Sequence, residues 1–220
     1  MLAIRIITGE HLKLAAVLHG MLYAVRQVRF GGAQPDLDLL GAMVSYIRAF
    51  PERFHHPKED EYLFRLLRER NADAAPLLDR LQAEHRASAH KVTQIEQALM
   101  RCQRGGAPEF AKFASAVAGY AAFHWDHVRA EEYEVIPLAE SFLLDRDWEI
   151  IDAAFTGHSD PLLGAEAGAE FSELFRRIVA LAPPPLGTGP GRSAADSRRS
   201  SPQSQESPSM PSEKRHRPLR

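Results

Sequence analysis

Apolar side chains recur at three- and four-residue spacing along most of the chain, the period of a helix with one buried face. Ile4, Ile7, Leu14, Leu18, Leu22 and Val25 form one such stripe and predict a first helix over residues 4–29, stopped by Phe30-Gly31-Gly32. A second register begins around Asp36, after Pro35, and runs through Leu37, Leu40 and Val44 to about Phe50. Pro51 and Pro57 then remove backbone donors and press their rings on the preceding turn, so a kink or break is expected near His55. The apolar pattern resumes at Tyr62, Leu63, Leu66 and Leu67 and yields to the polar stretch 68–73. A third helix starts near Pro76, carries Leu78, Leu81, Val92, Ile95 and Leu99, and ends at Gly105-Gly106. A fourth starts near Pro108 and runs through Phe110, Phe113, Val117, Tyr120 and Phe123 towards Phe142, with a late kink at Pro137.

Beyond these four, Asp147 is placed to cap a short helix holding Trp148, Ile151 and Phe155, and Phe171, Leu174, Phe175, Ile178 and Leu181 predict a last amphipathic helix. No stretch alternates as a strand does, so the fold class is all-α: an antiparallel up-down-up-down four-helix bundle to about residue 143, with a C-terminal helical extension to 182. Residues 183–220 are rich in Pro, Ser, Gly and Arg and poor in large apolar side chains, so burial there does not offset the entropy of ordering; they read as a disordered tail.

Composition narrows the function classes. The 220 residues, 45% hydrophobic and 25% charged, suit one domain with accessory segments. The net charge of −2 hides a tail, 186–220, with seven Lys or Arg against three Asp or Glu, which leaves about −6 for the rest. That balance argues against nucleic acid, and the tail reads at most as a contact for an unknown protein partner. Cys102 is the single cysteine, and no secretion signal or membrane span is visible, so a cytoplasmic location is expected.

The chemistry lies in a repeated pattern of histidine and glutamate. His11 stands 44 residues before His55, which is followed four residues later by Glu59; His85 stands 42 residues before His127, which is followed four residues later by Glu131. Neighbours match as well, since Glu10-His11 resembles Glu84-His85, and Leu63, Phe64 and Leu66 fall at the offsets from His55 that Val135, Ile136 and Leu138 have from His127. A histidine and a glutamate four apart project about 40° from each other on one helical face, so both reach one metal centre. Two irons, each with two imidazoles and with Glu59 and Glu131 bridging, fit this mixed nitrogen and oxygen set, which also admits manganese or zinc.

A lone histidine on an apolar stripe is more often a hydrogen-bonded core residue, and a lone glutamate is usually solvated. Four such helices are different, because buried carboxylates without a metal or charge partner are costly. The other histidines divide. His19 lies at the edge of the first stripe and His158 in a loop, both read as structural or surface residues; His124, one turn before His127, has a supporting or substitute-ligand role or simply packs. His56 rivals His55, because the Pro57 break makes helical phase unreliable there.

His11, His55-His56-Pro57-Lys58-Glu59, Glu84-His85 and His127 with Glu131 resemble the bacterial hemerythrin-like (HHE cation-binding) family, over about residues 1–185. The stretch from Asp147-Trp148 through Asp160-Pro161-Leu162 to Phe175 is similar to the family's C-terminal extension. The resemblance implies a non-haem di-iron centre with a bridging oxygen, used across the family for dioxygen carriage, oxygen or redox sensing, nitric oxide or peroxide handling, and iron sensing. It implies His11, His55, His85 and His127 as terminal ligands and Glu59 and Glu131 as bridges. Oxygen-carrying members have a second histidine four residues after the third-helix ligand; here that position is Ala89, and His90 is turned about 100° away. One fewer imidazole and an extra open position are therefore expected, an arrangement better suited to reacting with oxidants or reporting them than to reversible dioxygen carriage.

Three functions follow as expectations. The first is a non-enzymatic metal-binding protein that senses or buffers dioxygen, reactive nitrogen or oxygen species, or iron. The second is a di-iron oxidoreductase acting on peroxide or nitric oxide, and the third a metal-free helical interaction module.

Overall fold

A computed structural model describes residues 1–156 together with 176 and 178–180. The expected last helix is thus described only at those four positions, and the tail, His158 and the 160–162 turn lie outside the described residues. Within them no strand forms, and no helix is long and apolar enough to cross a membrane.

The first helix, α1, spans Leu2–Gly31 and ends where Gly32 enters the left-handed region (φ 64°) and returns its N–H to the Gln27 carbonyl. The second, α2 (Leu37–Phe50), begins at Asp36, whose side chain accepts from the Leu39 N–H at 2.9 Å. Of the kink or break expected near His55, the structure shows a distortion without a break, with His55 at φ −100° and ψ −70°. Helix continues through a π turn at Pro51–His55, one α turn at His56–Lys58, a second π turn at Glu59–Phe64, and α3 (Arg65–Arg70). Widening to i→i+5 bonding absorbs the prolines and rephases the side chains that follow.

Helical geometry then runs through α4, Ala75–Ala130, with Pro76 in its first turn as expected. A straight helix would set Ser88 and Tyr120 about 48 Å apart, yet their hydroxyls are 3.3 Å apart. The chain therefore doubles back inside α4, between Arg101 and Glu109, whose side chains lie 3.5 Å apart; this is the stretch where the sequence placed the turn. The second limb continues through a π turn at Glu131–Val135 into α5, Ile136–Phe142. The two halves thus share a backbone device: each places a π turn that starts at the glutamate of its His-x-x-x-Glu pair.

Two apolar clusters fill the bundle, and the chain visits them alternately. One holds Leu14, Leu18, Met43, Ile47, Val92, Ile95, Phe113 and Val117; the other holds Ile7, Phe64, Leu67, Leu78, Leu81, Val135 and Ala139. The first helix passes from the second cluster to the first, the next helix returns, and the limbs of α4 repeat the pair of passes, which is the up-down-up-down order. His11, His55, Glu59, His85, His127 and Glu131 all fall where their helices cross from one cluster to the other. The result is a polar layer between two dry ones.

The extension helix α6, Asp145–Thr156, packs Trp148, Ile151 and Phe155 on the end near Ile7. It starts two residues before the expected cap. Asp147 instead accepts from the Leu144 N–H at 3.0 Å and from both arms of Arg70 at 2.7 and 2.8 Å. Asp152 accepts from the Leu2 and Ala3 N–H groups at 3.1 and 2.6 Å, supplying the carboxylate that the first turn of α1 lacks. The Arg70 bonds, and then the Leu144 N–H, hold the Asp147 carboxyl down at about 2. A depressed folded-state value adds stability above the unfolded value of 3.8, lost as pH falls through 2. Asp147→Asn is expected to cost about 2 kcal/mol at neutral pH and to flatten the stability curve between about pH 4 and pH 2, measured by urea unfolding.

Candidate metal centre

Local helix geometry brings together every residue that the sequence singled out as a ligand. His11, His55, Glu59, His85, His127 and Glu131 are each at most 4% exposed and meet in the polar layer. Donor atoms of His11, His55, Glu59 and Glu131 lie within 4.8 Å of one another, and so do those of His56, His85 and His127.

The two carboxylates span these groups. Glu59 turns Oε1 to the Nε2 atoms of His55 (3.4 Å) and His11 (3.9 Å), and Oε2 to His85 Nε2 (3.6 Å). Glu131 turns Oε2 to His11 Nε2 (3.3 Å), and Oε1 to the Nε2 atoms of His127 (3.0 Å) and His85 (3.4 Å). Each carboxylate therefore offers one oxygen to a His11–His55 pole and the other to a His85–His127 pole.

The outward nitrogens of the four imidazoles are held as well. Nδ1 of His11 lies 2.9 Å from Glu132, that of His55 2.9 Å from Glu10, that of His85 2.9 Å from Asp60, and that of His127 2.8 Å from Glu84. The residue before each odd-helix histidine thus holds the histidine of the next helix, and the residue after each glutamate holds a histidine of the other half. A carboxylate on Nδ1–H fixes the tautomer and leaves the Nε2 lone pair facing inward, the arrangement typical of ligating histidines.

The inner atoms lack protein partners. Both oxygens of Glu59, Oε2 of Glu131 and Nε2 of His127 are buried without a hydrogen bond, and the Nε2 atoms of His11 and His55 face each other at 3.0 Å. Converging imidazole nitrogens and orphaned carboxylate oxygens in an apolar bundle suit cations between them, so the residues fit bound metal ions. Burial, then the neighbouring Glu131, pushes the Glu59 carboxyl well above its ordinary range. Burial pushes Glu131 the same way, but His127, His11 and His85 outweigh it and hold the carboxyl well below. For His11 and His85, burial lowers the value, and bonds to carboxylates (Glu131 with Glu132, and Asp60 with Glu131) carry it up to about 9.

His55 and His56 are both buried, at 3% and 6% exposed, and each contributes a donor atom to one of the two groups described above. Five imidazoles therefore converge on the layer, and Ala89 contributes none. His124 is also buried, its Nε2 unpartnered, and burial with the nearby histidines lowers it to about 3. His19 stacks on Trp125 at the surface and His90 bonds Gln94, both away from the layer.

The sequence matches the family described as the hemerythrin HHE cation binding domain over residues 2–139. The chain belongs to this family. No curated protein and no solved structure matches it significantly. It is a hemerythrin-like metal-binding protein, and its matched region ends within α5.

Proposed function

We propose that this hemerythrin-like chain binds two iron ions, one at each pole, and uses them to sense or buffer dioxygen, reactive nitrogen or oxygen species, or iron. His11 and His55 hold one ion, His85 and His127 the other, and Glu59 and Glu131 bridge. The carrying observation is that each glutamate presents one oxygen to each pole. Mixed imidazole and carboxylate donors suit iron, with manganese and zinc as competitors. Bound iron supplies a one-electron redox couple and coordination positions for a small diatomic or peroxide ligand. The protein's share is to fix the imidazoles through their Nδ1 carboxylates and to exclude bulk water with the two apolar clusters.

Metal analysis and the absorption spectrum of protein purified anaerobically and reconstituted with Fe2+ test this reading. Two irons per chain and an oxidant-dependent spectrum are expected; less than one metal per chain would overturn it. Slow stoichiometric oxidation is the expected behaviour, whereas sustained turnover of peroxide or nitric oxide with an electron donor would make the protein an oxidoreductase.

A further inference from the structure

We propose, building on the two-metal reading, that His56 is a metal ligand and gives the His85–His127 pole the third imidazole that Ala89 does not provide. Its ring stacks on that of His85 at 4.0 Å and meets that of His127 edge-on at 5.8 Å, and the three offer donor nitrogens within 4.8 Å of one another.

The backbone explains how neighbouring residues both face inward. In a regular α-helix they diverge by about 100°, but His55 sits at the junction of a π turn and an α turn with φ −100° and ψ −70°. That departure from ordinary helical values aims His55 at His11 and His56 across the layer at His85.

The outer side of His56 also has a carboxylate near it. Its Nδ1 faces Glu52 Oε1, one turn earlier, at 3.7 Å, and both atoms are buried without a hydrogen bond. Glu52 stands behind His56 from the same helix, whereas Glu10, Asp60, Glu84 and Glu132 reach their histidines from another helix of the bundle at 2.8–2.9 Å. A buried imidazole with a carboxylate behind it and two imidazole nitrogens before it is built for a cation.

The consequence is unequal poles. The His85–His127 ion gains three nitrogens and two bridging oxygens, while the His11–His55 ion keeps two nitrogens and two oxygens.

Titration of metal-free protein with Co2+ under anaerobic conditions, followed by absorption, separates the claims. Wild type is expected to take two Co2+ per chain, and His56→Gln to weaken one binding step at least tenfold, leave the other within threefold, and alter the visible bands of the weakened site. His56→Leu, of opposite polarity, keeps the test independent of how either variant folds, with helicity and metal-free Tm as controls. Both steps within threefold of wild type and superimposable spectra would overturn the ligand role while leaving the two-metal reading standing. Fewer than two Co2+ bound by the wild type would overturn that reading and this proposal with it.

Discussion

Glu59→Gln is expected to abolish the stabilisation that metal gives this protein while leaving the metal-free fold nearly unchanged. Neither oxygen of Glu59 has a hydrogen-bond partner, and the carboxyl is pushed well above its ordinary range by burial and by Glu131. An amide of the same size therefore takes the place of a carboxyl that has no hydrogen-bond partner to lose, and the metal-free Tm should move by only a few degrees. The bound state is another matter, since an ion held at a thousandfold excess over its Kd stabilises by about 4 kcal/mol. Two such ions raise Tm by more than about 10 °C in a chain of this size. Glu131→Gln behaves differently. That carboxylate is paired with His11, His85 and His127, and breaking a buried pair costs about 3–5 kcal/mol even before metal is added. Thermal unfolding with chelator and with excess Fe2+ distinguishes the two variants. A Glu59→Gln protein that kept more than half of the wild-type shift would mean that Glu59 does not bridge.

The bundle was legible in the sequence because its signal is redundant. Ile7, Leu14 and Leu18, or Leu78, Leu81 and Val92, each mark a face several times over, so one misplaced residue does not change the stripe. The six proposed ligands were legible for a related reason: the pattern occurs twice, and the repeat survives where a single histidine would be discounted. Helical phase was the part that did not carry through. Pro51 and Pro57 predict a kink or break, and i→i+5 bonding accommodates both as a distortion through which the helix carries on. Because phase was lost there, His56 could be raised only as a rival to His55, when the distorted backbone turns both inward.

The outer carboxylates were missed for a different reason. Glu10, Asp60, Glu84 and Glu132 each sit beside a proposed ligand, and periodicity alone names no partner for them. Only the tertiary arrangement shows that each reaches to a neighbouring helix. A signal was present in the repeated Glu-His pair at 10–11 and 84–85, yet spacing alone does not reveal that Glu10 serves His55 rather than its neighbour His11. Asp152 at the start of α1 belongs to the same class, a cap 150 residues away in sequence.

The crossed carboxylates carry the second large expectation. Glu10→Gln and Glu84→Gln should each weaken metal binding by about 10–100-fold, the usual cost of removing the group behind a ligating imidazole. The two positions are equivalent in the repeat, so the losses should match within a few fold and fall on different ions, one through His55 and the other through His127. Asp60→Asn and Glu132→Gln should cost less. Their side chains are 35% and 32% exposed against 16% for Glu10 and 24% for Glu84, so water replaces more of the lost interaction. Glu84 has one further constraint, a 3.0 Å bond to Arg80 that holds the carboxylate against His127. Arg80→Ala should therefore reproduce a weaker form of the Glu84 defect, with no counterpart at Glu10. Competition titrations against a metal chelator measure all five variants on one scale. Equal, small losses at all four carboxylates would show that the outer groups tune solubility and not the ligating nitrogens.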